Sequence, residues 1–256
     1  RDLGHPRRSE VWTGHTSGKT QDRGIVQEVQ NCVVRRTSVL PSDEDAKYIA
    51  LTFDEAPSTY TQQVLDILEE KGAKGTFFLS GDAAEENVSA AQAIAASGNE
   101  MGSNTMSDVN LTNLDGEDLR SQITAGADAI EAASGTRPAL LRAPYGEFST
   151  KNWTEAMDLV SAVISWSVDS GDWLLNGSDD VVDTVVGSVK NGSIVLLTDN
   201  EACGEQLVEA LPQIIDQLQD EGYKFVTLSE LIATDDDLAD VVDLTKVSMP
   251  EAPCFP

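Results

Sequence analysis

Asp54 and Glu55 stand side by side where an apolar run ends, in the segment YIALTFDEAP. Acids at a strand end can take a proton from water or hold a cation. They cannot both cap one helix, the commonest use of an acid after a strand. Arg142 stands further along in LLRAPYG, where a guanidinium can hold a carboxylate in its ionised form. Asp169 and Asp172 follow in VDSGDW, and Thr198 and Asp199 close SIVLLTD. For Asp199 and Asp179 a capping role is expected. Asn104 and Asp108 stand four positions apart in NTMSD and bring two more oxygen donors. Three uses fit such a set. They are metal-assisted hydrolysis, metal-free glycoside hydrolysis by Asp54 and Asp172, and binding without turnover.

The histidine count bears on the choice. The chain has two, His5 and His15, and residues 16–256 hold none. The ligand candidates Glu55, Asn104 and Asp108 all offer oxygen. Zinc favours nitrogen and sulfur, whereas calcium and magnesium favour oxygen. The three cysteines, Cys32, Cys203 and Cys254, fit neither a zinc knuckle nor a disulfide-rich scaffold.

Charge excludes some partners. The net charge is −27, and residues 41–256 hold forty acids against ten basic residues. So acidic a body repels nucleic acid and anionic membrane and suits neutral or cationic ligands. No apolar run approaches the ~20 residues of a membrane-spanning helix. GHTSGKT has three residues between its glycines where a phosphate loop needs four.

These residues need a scaffold that brings distant segments together. Residues 1–45 form a polar N-terminal extension in which GIVQEVQNCVVRRTSVL can supply a strand or two. From Tyr48 the pattern alternates between buried-strand runs and amphipathic helices. YIALTF, GTFFLS, NEMGSNT, PALLRAP, SAVISWSV, SIVLLT and YKFVTL read as strands, with helical stretches between them and SELIA as a last helix. In EQLVEALPQIIDQLQDEG the apolar positions 207, 211, 214 and 218 fall on one stripe. Such alternation predicts an α/β fold, a distorted (β/α) barrel of about seven strands over residues 46–234, with a tail over 235–256. Chemistry in such folds sits at the C-terminal ends of the strands. Asp54, Asn104, Arg142, Asp172 and Thr198 all follow strands, so they should share one rim.

The order of these pieces resembles the polysaccharide deacetylases, carbohydrate esterase family 4, also called the NodB-homology domain, over residues 46 to about 232. The family's T-F-D-D-G-P stands here as TFDEAP, its H-S/T-x-x-H as NTMSD and its L-x-H as LLT, while RAPYG and DSGDW match fully. The resemblance implies hydrolase chemistry on acetylated polysaccharides, N-acetylglucosamine polymers or acetylated xylan. It implies a divalent metal, a base at Asp54 oriented by Arg142, and oxyanion binding by the Tyr145 backbone N–H after Pro144. It also implies that Asp172 holds the general acid, with Trp173 as a groove wall. Glu55, Asn104 and Asp108 fall at the metal-ligand positions, and Thr198 at that of the general-acid histidine. The departures imply impaired catalysis, a pseudoenzyme with no tightly bound zinc. An active atypical deacetylase using calcium or magnesium, and a metal-free carboxylate hydrolase, stand as alternatives. An extracellular or cell-envelope location is expected with such substrates. Barrel geometry starts both the first strand, sixteen residues after Cys32, and the tail that carries Cys254 at the face opposite the rim, so these two are expected to pair and Cys203 to stay free, with three unpaired thiols as the alternative.

Overall fold

A computed structural model of the chain describes residues 25–28, 34–36 and 46–233. His5, His15, Cys32 and Cys254 lie outside the described residues, and so does the expected Cys32–Cys254 bridge.

Two short strands, β1 (Ile25–Glu28) and β2 (Val34–Arg36), pair antiparallel. The alternating part then runs β3 (Lys47–Ala56), α1 (Thr61–Lys71), β4 (Gly75–Leu79), α2 (Gly81–Glu86), α3 (Val88–Ala96) and β5 (Glu100–Ser103). It continues with α4 (Gly116–Ser134), β6 (Leu140–Leu141), α5 (Thr150–Ala156), β7 (Ala162–Ile164), β8 (Val168–Asp169) and α6 (Ser178–Ser188). β9 (Ser193–Thr198), α7 (Gly204–Asp220), β10 (Tyr223–Phe225) and α8 (Leu228–Ala233) complete it.

The strand order is β2-β1-β7-β6-β5-β4-β3-β9-β8, and β10 pairs with the start of β3. Every pairing among β3 to β10 is parallel. Helices cover the outside, so a strand buried on both faces reads as a continuous apolar run. Ile49, Ala50, Leu51 and Phe53 are accordingly all fully buried, and Phe53 stacks on Phe77 with ring centroids 4.7 Å apart. The apolar stripe of α7 is buried at Leu207, Leu211, Ile214 and Leu218.

Two predicted elements are divided. The run 161–168 forms two strands with a bend between them, β7 pairing with β6 and β8 with β9. Ser167 N donates to Ile194 O at 3.0 Å within the bend. The bend carries the chain from one end of the parallel sheet to the other, which curls the sheet into the distorted barrel. The helical stretch expected between GTFFLS and NEMGSNT breaks at Asn87, whose backbone leaves helical geometry at φ −122°. Its Nδ2 donates to Pro57 O at 3.3 Å, tying the break to the end of β3.

Candidate functional site

The C-terminal ends of β3, β5, β6, β8 and β9 bring the predicted residues to one rim. Arg142, just after β6, is wholly buried. Its Nη1 donates to Asp54 Oδ1 at 2.8 Å and to Thr52 Oγ1 at 2.6 Å. Nε and Nη2 donate to Ile164 O and Ser165 O, each at 3.3 Å, both at the bend after β7. The guanidinium also lies 4.2 Å over the Phe78 ring. A buried charge is tolerated only when paired and hydrogen-bonded in this way. Burial pushes the Asp54 carboxyl up to about 6, and Arg142 opposes the rise while Glu55 and Asp172 add to it. Asp54 is therefore ionised at neutral pH yet poised to accept a proton.

Glu55 sits in a bulge of β3. Asp54 pairs with Phe78 and Ala56 with Leu79, leaving Glu55 between them at φ 61°. Its Oε2 accepts from Asn200 Nδ2 at 2.8 Å. Burial raises its carboxyl, Asn200 lowers it, and the nearby Asp108 charge raises it. Asn104 is 2% exposed, and its Nδ2 donates to Arg142 O at 2.9 Å. Asp108 Oδ2 accepts from the Tyr145 hydroxyl at 2.6 Å, a bond that pushes the phenol up to about 12. Tyr145 itself is held at φ 62° in the turn Pro144–Gly146, with Pro144 buried beneath it.

Asp172 faces Thr198. Thr198 N donates to Asp172 Oδ2 at 2.6 Å, and Thr198 Oγ1 to Oδ1 at 2.9 Å. Burial pushes the Asp172 carboxyl up to about 6 against those two bonds. Trp173 is 48% exposed on the rim, so it is not a core residue, and its indole N–H reaches Asp169 Oδ1 at 3.2 Å. Cys203 is free and buried below, and burial pushes its thiol up to about 12.

Asp199 and Asp179 are not helix caps. Asp199 is buried and accepts from Ser58 Oγ and Thr61 Oγ1, both at 2.6 Å, fastening the loop after β3 to the end of β9. Asp179 lies inside the first turn of α6, where Gly177 holds the capping position. Sequence reasoning also missed Thr52, Asn200 and the Ser58–Thr61–Asp199 cluster. Asn200 and that cluster belong to no motif and come into place only through the pairing of β3 with β9. The one signal pointing at Thr52 was its place at the head of TFDEAP, as a lone polar residue in a continuously buried strand.

The motif resemblance implies a divalent metal at Glu55, Asn104 and Asp108. The three ligand positions supply two carboxylates and an amide. Each is already hydrogen-bonded to a protein group, and no imidazole is among them. Among the described residues no group of three or more His, Cys, Asp or Glu is placed to hold a metal. This donor set does not fit zinc.

The sequence profile of polysaccharide deacetylases matches residues 42–162. A peptidoglycan-N-acetylglucosamine deacetylase of Bacillus cereus is 36% identical over 196 residues, covering 75% of this chain and 91% of that protein. The chain belongs to the polysaccharide deacetylase family. A bifunctional xylanase/deacetylase of Pseudobutyrivibrio xylanivorans is 38% identical to this family member over 73% of the chain and 31% of that longer protein. Among solved structures, a carbohydrate esterase family 4 pseudoenzyme from Bacillus anthracis superposes with a TM-score of 0.67 at 29% identity. The match covers 73% of this chain and 66% of that one. A mutant of the same pseudoenzyme, described as having restored enzymatic activity, matches at 30% identity.

Proposed function

We propose that this deacetylase-family protein binds glycans of the acetylated class and is impaired in deacetylation. The observation that carries the reading is the occupancy of the ligand and general-acid positions. Glu55, Asn104, Asp108 and Thr198 stand there, each engaged by a protein partner. A threonine hydroxyl cannot act as a general acid near neutral pH, and losing one costs typically 10²–10⁴-fold. Losing a metal's Lewis acidity costs several kcal/mol more. The substrate class, N-acetylglucosamine polymers or acetylated xylan, is supported by the activities for which the relatives are named. An extracellular or cell-envelope location follows from such substrates.

One observation favours a second reading. The Asp54–Arg142 pair keeps the geometry of an oriented base. An active atypical deacetylase would use that base with a hard cation in place of zinc. Acetate release from chitooligosaccharides and acetylated xylan, measured with and without added calcium or magnesium, separates the two. Binding without acetate release supports the first reading, and cation-dependent turnover overturns it.

A further inference from the structure

Trp166 stands in the bend between β7 and β8, ahead of DSGDW and outside every matched motif. Its half-buried indole makes two contacts on the rim. The first is with Arg142, whose guanidinium carbon is 5.5 Å from the ring centroid. A cation at that distance from an indole is attracted by it. Nη2 of the same guanidinium donates to Ser165 O, so the bend holds Arg142 by backbone and ring together. The second contact is with Gly146. A Cβ added to Gly146 would lie 2.9 Å from Cη2 of the indole and 3.4 Å from Cζ3. The six-membered ring therefore packs directly on the Gly146 backbone, an approach that only glycine allows.

The turn at Pro144–Gly146 depends on such support. Tyr145 and Gly146 are both left-handed, at φ 62° and φ 69°. For a bulky residue such as Tyr145 this conformation is strained and persists only where its surroundings hold it. One hold is the Tyr145 hydroxyl, which donates to Asp108 Oδ2 at 2.6 Å. The other is the indole against Gly146. Tyr145 is 57% exposed, so the turn presents its ring to whatever occupies the rim.

We propose that Trp166 is a positioning residue of the rim, whose indole sets the Pro144–Gly146 turn, and with it Tyr145, against the Arg142–Asp54 pair. One ring bears on both, so the turn cannot shift without disturbing the seat of Arg142. Where a glycan occupies the rim, Trp166 acts on it through Tyr145, and this part of the inference rests on the glycan-binding reading.

Titration of Tyr145 tests the proposal without any ligand. The Asp108 bond pushes its phenol up to about 12, aided by burial and by the charges of Asp108 and Glu55. At pH 11 roughly a tenth of Tyr145 should then be ionised, against about nine-tenths of an ordinary phenol near 10. Carbon NMR of folded protein labelled at tyrosine Cζ reads that fraction, with Tyr145→Phe supplying the assignment. Trp166→Phe shortens the side chain and leaves a gap beside Gly146, and Gly146→Ala crowds the indole. Each alone should loosen the bond to Asp108 and raise the ionised fraction to a half or more. In the pair the added methyl faces the vacated space, and the fraction should return below a third. Leu218→Ala empties a buried position in the last turn of α7, at the end opposite the rim, and should leave the fraction unchanged. Calorimetric titration with N-acetylglucosamine tetrasaccharide should follow the same order, each single variant binding at least fivefold more weakly and the pair recovering. Unchanged ionisation in both single variants, a pair worse than either, or an equal shift in Leu218→Ala would overturn the proposal. A wild type that binds no tetrasaccharide would remove the glycan-binding reading and leave the titration to decide this one.

Discussion

Arg142 concentrates the energetics of the rim in one side chain. Arg142→Leu would leave Asp54 buried without its counter-charge, and breaking a buried pair costs about 3–5 kcal/mol. Asp54 can escape that cost by taking up a proton. With Arg142 gone, the one group lowering Asp54 is gone too, so its carboxyl rises further above its present value of about 6. The folded variant then binds a proton that the unfolded chain has already lost, and its stability falls as pH rises. Urea unfolding should show a larger cost at pH 8 than at pH 5, and equal costs would count against the pairing. Asp172 gives a second test with the same sign. Its folded carboxyl lies near 6 against 3.8 for the free group, so its contribution declines between those values as pH rises and is flat above. The stability difference between wild type and Asp172→Asn should therefore shift against wild type by roughly 2–3 kcal/mol over that window. A difference that stays constant from pH 4 to pH 7 would contradict it.

The elements were legible to the extent that their burial is simple. Strands covered on both faces show as apolar runs, and each of the seven runs became a strand or a pair of strands in the order expected. The bend between β7 and β8 was not legible, because no glycine or proline marks Ser165–Ser167. It is produced by the strand pairing with β6 on one side and β9 on the other. The break at Asn87 likewise depends on a contact with Pro57, thirty residues away. The motif residues could be placed at strand ends, but not their partners. Glu55 and Asn200 are 145 residues apart and meet only because β3 and β9 are neighbours. One helix contact sets the position of the Asn104 loop. A Cβ on Gly126 of α4 would lie 2.4 Å from Thr105 C and 2.6 Å from Met106 N. Helix propensity favours Gly126→Ala by about 1 kcal/mol, whereas overpacking against backbone costs typically 1–3 kcal/mol. The clash should win, so the variant should be less stable in urea, with Asn104 and Asp108 displaced. A gain in stability would mean that the loop gives way easily.

Across the whole molecule, the family's fold is retained, and the proposed reading is that the residues at its metal and general-acid positions have changed. The acidic body and the exposed rim aromatics remain available for a glycan, and the ligand positions are held by hydrogen bonds within the protein. If the chemistry of the donors is what excludes zinc, replacing them should bring it back. Glu55→Asp, Asn104→His, Asp108→His and Thr198→His together restore the family's residue types on the same strand ends. Zinc binding should return before activity, because binding tolerates imperfect geometry better than catalysis does. The direct measurement is the metal content of wild type and of this fourfold variant after dialysis against a mild chelator. The account predicts no stoichiometric zinc in wild type and one zinc per chain in the variant. Stoichiometric zinc surviving in wild type would contradict it, and so would a folded variant that holds none.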